Sequence, residues 1–264
     1  MPSPSYVESK LRIALGTFVA IEAQASRPGA AIRGVAAAFA AFATVERLMH
    51  PTRAGSDLAA LADCPPGRAL SVHPWTFDVL ELCRRLYESS QGAFDPCLDI
   101  ASGRMSDLEI LTDRRLVPRA RLCVDLGGIA KGYAVDRAVQ ALRAAGCSDG
   151  LVNAGGDLAV FGERQHAIVC RTAEGVGMLF ELRDGALATS DTAATERPPE
   201  HRGYYHGLDR RAAVQGRVTV TAPRADVADA LTKCLLLGGA ARNADLLQAF
   251  GAKQIHHAGH VGRR

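Results

Sequence analysis

Three short runs hold the residues best suited to chemistry. The first is LCVDLGGIAKGYAVDRAVQALRAAG, residues 122–146, where Gly127, Gly128 and Lys131 stand between an apolar run and a helix pattern. Glycine turns that open helices suit phosphate, because backbone N–H groups and the helix dipole both favour anions. The run is no P-loop, since Lys131 precedes Gly132 and Tyr133 follows it, and its glycines do not spell the dinucleotide fingerprint GxGxxG. Asp125, just before the glycines, is placed to accept hydrogen bonds from a flavin or ribose. The second run, VNAGGDL (152–158), is another Gly-Gly-Asp turn, and two such turns at successive strand ends bring backbone to one edge of a sheet. The third is ADVADALTKCLLLGG (225–239), where Asp229, Thr232 and Lys233 fall at i, i+3 and i+4 on one helical face. A carboxylate and a hydroxyl so placed can share a hard cation and leave room for substrate phosphates. Plainer readings stand beside these: glycines that permit close packing, and a solvent-facing Asp–Lys pair on an amphipathic helix.

The elements that must position these runs are legible in outline. Residues 11–23 predict a strand interrupted by Gly16. Over 30–49, Ile32, Val35, Phe39, Phe42, Val45 and Met49 recur at threes and fours, a helix with one buried stripe stopped by Pro51. Pro74 opens a second helix with Trp75, Val79, Leu82, Cys83 and Leu86 on its apolar face. AFDPCLDIASG reads as a loop, 121–126 as a strand, 129–145 as a helix closed by Gly146, and 150–153 as a strand. Strands at 166–171, 177–183 and 217–222 and helices at 226–237 and 242–250 complete the pattern, with a mobile tail from about residue 252. Several strands follow one another directly, so the fold class expected is α+β or mixed α/β, in one domain spanning 1–264.

Composition narrows the function classes. The 264 residues are 48% hydrophobic and 22% charged, an ordinary globular profile large enough for a sizeable core. Only 5% are aromatic and the net charge is +3, which argues against a base-stacking surface or a polyanion partner, so no nucleic acid is expected. Seven dispersed cysteines with no CxxC pair read as reduced structural thiols. The N-terminal residues lack a basic start, a long apolar segment and a cleavage site, and no apolar run approaches the roughly 20 residues of a membrane span. The expected location is the cytoplasm, or the periplasm for a chain that has lost a leader.

In combination, GAFDP (92–96), VDLGGIAKGYAVD (124–136), VNAGGDL, DGALATS (184–190) and ADALTKCLLLGG (228–239) resemble the ApbE-type FAD:protein FMN transferase family over roughly residues 12–240. The resemblance implies a two-lobed, T-fold-related architecture that binds FAD and Mg²⁺ in the cleft between the lobes. It implies cleavage of FAD to release AMP, and attachment of FMN by a phosphoester to a Thr or Ser of an acceptor flavoprotein. Carried onto this chain, it places Leu15, Thr52, Ala93, Phe94, Asp95, Asp125, Lys131 and Gly207 about the FAD. Gly128, Asp229 and Thr232 would face the metal, with the Lys233 position beside them, and His206 would take the proton of the acceptor hydroxyl. His206 and Asp229 are therefore the expected catalytic pair.

The chain departs from the family pattern at functional positions. Where the helix motif has a metal-ligating Thr four residues after the Asp, this chain has Lys233; an ammonium cannot ligate Mg²⁺ and repels a cation beside Asp229, but it could instead pair with Asp229 and stand in for the metal's charge, or face the FAD phosphates directly. A tyrosine that packs on FAD aligns with Thr52, the start motif Met-Gly-Thr reads Leu15-Gly16-Thr17, and the segment after His206 reads DRRAA (209–213) without the usual Pro, Thr and Gly. Three readings follow: a transferase with an altered metal site, a non-catalytic flavin- or nucleotide-binding relative or maturation factor, and a related fold with another phosphate-linked substrate.

Overall fold

In the computed structural model, which describes residues 5–170, 177–192, 205–206, 213–238 and 243–256, a seven-stranded antiparallel sheet carries three helices on one face. Strands β1 (Tyr6–Ala14) and β2 (Thr17–Ala25) form a hairpin, followed by helix α1 (Pro28–Leu48) and the short α2 (Asp57–Ala62). Next come β3 (Leu70–Ser71), α3 (Pro74–Ser89), β4 (Leu108–Ile110) and β5 (Arg115–Pro118), whose three strands make a small sheet in the order β3-β5-β4. Helix α4 (Ala130–Ala144) leads into β6 (Cys147–Ala154) and β7 (Asp157–Phe161). The hairpin β8 (His166–Cys170) and β9 (Met178–Leu182) precedes β10 (Gly185–Asp191), and β11 (Tyr205–His206) pairs with β12 (Ala213–Val214). Strand β13 (Arg217–Ala222), helices α5 (Ala225–Gly238) and α6 (Asn243–Ala249) and strand β14 (Lys253–Ile255) end the described chain. The main sheet runs β1-β2-β6-β7-β10-β13-β14.

Helix α1 lies over β1 and β2, α4 over β6 and β7, and α5 over β10 and β13. Alternation along β2 sends Val19, Ile21, Ala23 and Ala25 into the layer between sheet and helices, where Phe42, Leu80 and Phe161 are also buried. On the opposite face, Ile168 and Cys170 of β8 cover Leu158, Val160 and Leu187. The mixed α/β class is as expected, and the described cysteines are unpaired, all but Cys123 buried.

The structure corrects several expectations. Residues 11–23 are no single strand: Leu15 (φ 49°) and Gly16 (φ 70°) both lie in the left-handed region, and two such residues in succession make the tight turn of a hairpin. Residues 121–126 form no strand beyond a bridge between Val124 and Cys97, because Leu98 N–H donates to the Cys123 carbonyl and the chain then turns at Asp125. Ile32 is 54% exposed, so the buried stripe of α1 runs through Ala31, Val35, Ala38, Phe42 and Val45 instead. Residues 253–255 belong to the sheet rather than to a tail, pairing with Thr219, Val220 and Thr221. Helix α1 is long and apolar enough to cross a membrane by length and composition alone, but its apolar stripe faces the protein core. Gly207, the side chain of His206, most of DRRAA, and His257 and His260 lie outside what is described.

Candidate functional site

Helices α4 and α5 approach closely because Gly132 has no side chain: a Cβ there would lie 2.2 Å from the Ala225 carbonyl oxygen and 2.8 Å from the Asp226 Cα. The approach is fastened by Asp136 of α4, whose two carboxylate oxygens accept the N–H groups of Ala225 (2.9 Å) and Asp226 (3.0 Å) in the first turn of α5. Burial, and then the nearby Asp226 carboxylate, push the Asp136 carboxyl up to about 7.

One turn along, the same contact assembles a buried charge cluster. The Asp229 side chain is fully buried, and its Oδ1 is paired with Lys233 Nζ one helical turn on. Its Oδ2 accepts the Gly132 N–H at 3.1 Å and stands 3.5 Å from Lys131 Nζ. Lys131 is also hydrogen-bonded to Asp157, the acid that follows the Gly155-Gly156 turn. Asp157 is 2% exposed and Lys233 4%, so three of the four charges are out of water. Burial raises the Asp157 carboxyl, with Asp229 adding to it against the two lysines. For Asp229, burial is outweighed by Lys131, Lys233 and their hydrogen bonds, which hold it below the usual carboxylate range. For Lys131, burial is likewise outweighed by the two carboxylates, which raise it above the ordinary lysine value.

Of the expected flavin-side residues, Phe94 packs at this cluster and Ala93 at the end of α5. A Cβ on Gly128 would lie 3.6 Å from Lys233 Cγ and 3.6 Å from Phe94 Cε2, so the glycine turn, Phe94 and the lysine stem form one wall. A Cβ on Gly238 would meet Ala93 at 3.3 Å, which fixes the GAFDP loop at the end of α5. Asp125 N–H donates to the Pro96 carbonyl at 2.9 Å, while Asp125 Oδ1 accepts the Gly127 N–H at 2.8 Å. Asp95 Oδ1 accepts from Cys97 N–H (3.0 Å) and Met105 N–H (3.3 Å), organising its own loop. The Leu15-Gly16-Thr17 turn abuts the second glycine turn, where Gly155 N–H donates to the Phe18 carbonyl at 3.1 Å. Thr52 stands exposed after α1, its N–H directed to His50 Nδ1 at 3.3 Å. His206 lies in the β11–β12 pair, opposite Ala213.

Two N–H groups of the first glycine run are therefore engaged inside the protein, Gly127 by Asp125 and Gly132 by Asp229. The Asp229 carboxylate itself occupies the anion position at the start of α4. Sequence reasoning did not single out Asp157 or Ser190, although both sit in the quoted runs. An acid directly after a Gly-Gly turn at a strand start was the available signal for Asp157. Ser190 Oγ lies 2.6 Å from Thr232 Oγ1, and the Thr232 hydroxyl is 2.6 Å from the Asp229 carbonyl oxygen to which it donates.

This donor set does not fit a divalent cation. Both oxygens of Asp229 are taken by cations and an N–H, the Thr232 hydroxyl is committed to backbone and Ser190, and an ammonium holds the i+4 position. Among the described residues no three His, Cys, Asp or Glu side chains gather as a metal group. A separate cleft of about 580 Å³ between α3 and α4 lies away from the cluster. Its charges pair across it, Arg137 with Asp78 and Arg143 with Asp184.

Comparison with known proteins accords with this arrangement. The model of the ApbE family matches residues 15–255. An FAD:protein FMN transferase of Treponema pallidum is 26% identical over 87% of this chain and 78% of its own length. A protein of the same name from Rhodobacter capsulatus is 27% identical over 90% of this chain, which spans only 53% of it. The crystal structure of the apo form of the Pseudomonas stutzeri flavinyl transferase ApbE superposes with a TM-score of 0.80 at 22% identity, covering 97% of this chain and 93% of that one. Flavin transferase ApbE from Vibrio cholerae superposes with a TM-score of 0.79 at 19% identity, covering 95% and 93%. At such identities the structural likeness speaks to the fold.

Proposed function

Since the chain belongs to the ApbE family, matched from residue 15 to residue 255, we propose that it is an FAD:protein FMN transferase. The observation that carries this reading is the gathering of Gly128, Phe94, Lys131, Asp229 and Lys233 at the α4–α5 contact, with the Gly155-Gly156 turn and Asp157 beside it. The names of the Treponema and Rhodobacter relatives support the same activity.

In this proposal a Thr or Ser hydroxyl of an acceptor flavoprotein attacks the flavin-side phosphorus of FAD. The new O–P bond forms as the bond to the AMP phosphate breaks. The hydroxyl proton passes to a base, for which His206 is the candidate, and AMP leaves with the electron pair of the broken bond. Negative charge builds on the phosphoryl oxygens and on the leaving group, so fixed positive charge in the wall lowers the barrier. Lys131 and Lys233 supply that charge. Phe94 and the Leu15 turn are assigned to the flavin side, Asp125 to the ribose or flavin edge, and Gly207 to the segment bearing His206. Mg²⁺, implied by the family resemblance, enters no step here because the donor set does not fit it.

The test is product identity. Purified protein is incubated with FAD and a Thr-bearing acceptor domain, and AMP is followed by chromatography and the acceptor by mass. AMP together with an FMN mass increment, lost when the acceptor Thr is changed to Ala, is expected. FAD bound with neither product formed favours instead the non-catalytic flavin-binding reading, which the engaged Asp229 makes the specific competitor.

A further inference from the structure

Lys233 is the least ordinary residue of the cluster. A lysine is rarely buried unless paired, and this one is 4% exposed with its ammonium on a fully buried carboxylate. Its stem is packed under the glycine turn, with Cγ 3.6 Å and Cε 3.7 Å from where a Gly128 Cβ would stand. It is thus held against the wall formed by Gly128 and Phe94, not folded outward to solvent. Asp229 Oδ1 is the oxygen it holds, and Asp229 Oδ2 already has Gly132 N–H and Lys131.

We propose that in this chain the Lys233 ammonium stands in the place of a divalent cation, so that the site takes no metal and the FAD diphosphate is held by two lysines. The inference rests on the transferase reading for the identity of the ligand, but not for the exclusion of the metal. Lys131 and Lys233 together carry the charge of one divalent ion, Lys233 on Asp229 and Lys131 between Asp157 and Asp229. A lysine ammonium has three N–H donors. One is spent on Asp229, which leaves donors for phosphate oxygens at the Gly128 wall. A divalent ion entering beside Asp229 would meet an ammonium on one carboxylate oxygen and a second ammonium near the other, and would find the Thr232 hydroxyl already engaged with the Asp229 carbonyl and Ser190.

The experiment separates this inference from the transferase reading. Protein stripped with chelator and freed of flavin is titrated with Mn²⁺ alone, and free Mn²⁺ is read by electron paramagnetic resonance. The wild-type chain is expected to leave the free-ion signal unchanged. Lys233→Thr, folded by circular dichroism, is expected to sequester one equivalent, lost again in Lys233→Thr with Asp229→Asn. In parallel, FAD binding by flavin fluorescence is expected to change less than about twofold between chelator and saturating Mg²⁺ for the wild type, and about tenfold or more for Lys233→Thr. One equivalent of Mn²⁺ bound by the wild type and abolished by Asp229→Asn would overturn the inference, as would FAD binding by the wild type that needs Mg²⁺. A folded Lys233→Thr that gains no Mn²⁺ would show that the lysine is not what keeps the cation out. Failure of the wild type to bind FAD under either condition sinks the transferase reading instead, while the Mn²⁺ titration still decides whether the metal is excluded.

Discussion

Asp229 ties together two lysines, an amide and the start of a helix, itself and Lys233 buried and Lys131 partly exposed. Removing one partner of a buried ion pair leaves an uncompensated charge, so Asp229→Asn is expected to cost about 3–5 kcal/mol in urea unfolding. The pH dependence follows from the direction of its shift. The folded-state carboxyl is held below the ordinary value of 3.8, so its stabilisation is complete above that value and is lost as pH falls through the folded value. Acid unfolding of Asp229→Asn should therefore be less steep below about pH 4 than that of the wild type. Gly128→Ala offers a contrast, since its Cβ would make only ordinary contacts. Its stability should stay within about 0.5 kcal/mol of wild type, and a loss of FAD affinity without a loss of stability would locate the ligand at that wall. At this scale the sequence was informative where spacing carries meaning: Asp229, Thr232 and Lys233 fall on one helix face whatever the fold. It was silent on Asp157 and Ser190, because a partner across 26 or 42 residues is set by tertiary packing.

The α4–α5 contact is the element on which the site depends. Gly132→Ala puts a methyl group into the backbone of Ala225 and Asp226, and neither helix can yield without moving the Asp136 cap. Overpacking of this kind is expected to cost about 1–3 kcal/mol. The cap has its own pH signature. An Asp136 carboxyl at about 7 when folded, against 3.8 when unfolded, is neutral in both states at low pH and charged in both at high pH. In the interval the unfolded chain ionises first, so stability falls as pH rises from 3.8 towards about 7. Urea midpoints for Asp136→Asn from about pH 4 to about pH 8 should lack this decline, and an unchanged slope would remove Asp136 as its source. The longer helices were readable to within a few residues, because their apolar stripes and Pro74 are local features, whereas the short α2 was not expected. The hairpin of β1 and β2 was not, because one left-handed residue, Leu15, is invisible to hydrophobic pattern, and Gly16 alone reads as an interruption. Strand β14 was missed for a related reason: three residues can be a strand only when an edge is there to receive them, here that of β13.

For the molecule as a whole, the antiparallel sheet and its helix layer bring two glycine turns, the GAFDP loop and the two ends of the charge cluster to one region, from segments more than a hundred residues apart. What the order of motifs implied about family and mixed α/β class holds, because motif order survives divergence that erases identity. What it left open is which of its roles Lys233 takes, since only the packing under Gly128 holds its ammonium on Asp229 rather than out to solvent. The central claim, that this chain transfers FMN from FAD using fixed lysine charge, is tested most directly by AMP release in the presence of chelator, from protein whose metal content has been measured as nil. The account predicts AMP and FMN-bearing acceptor in equal amounts under that condition, with no stimulation by added Mg²⁺. AMP formed only after Mg²⁺ is restored, or no AMP under any condition, would contradict it.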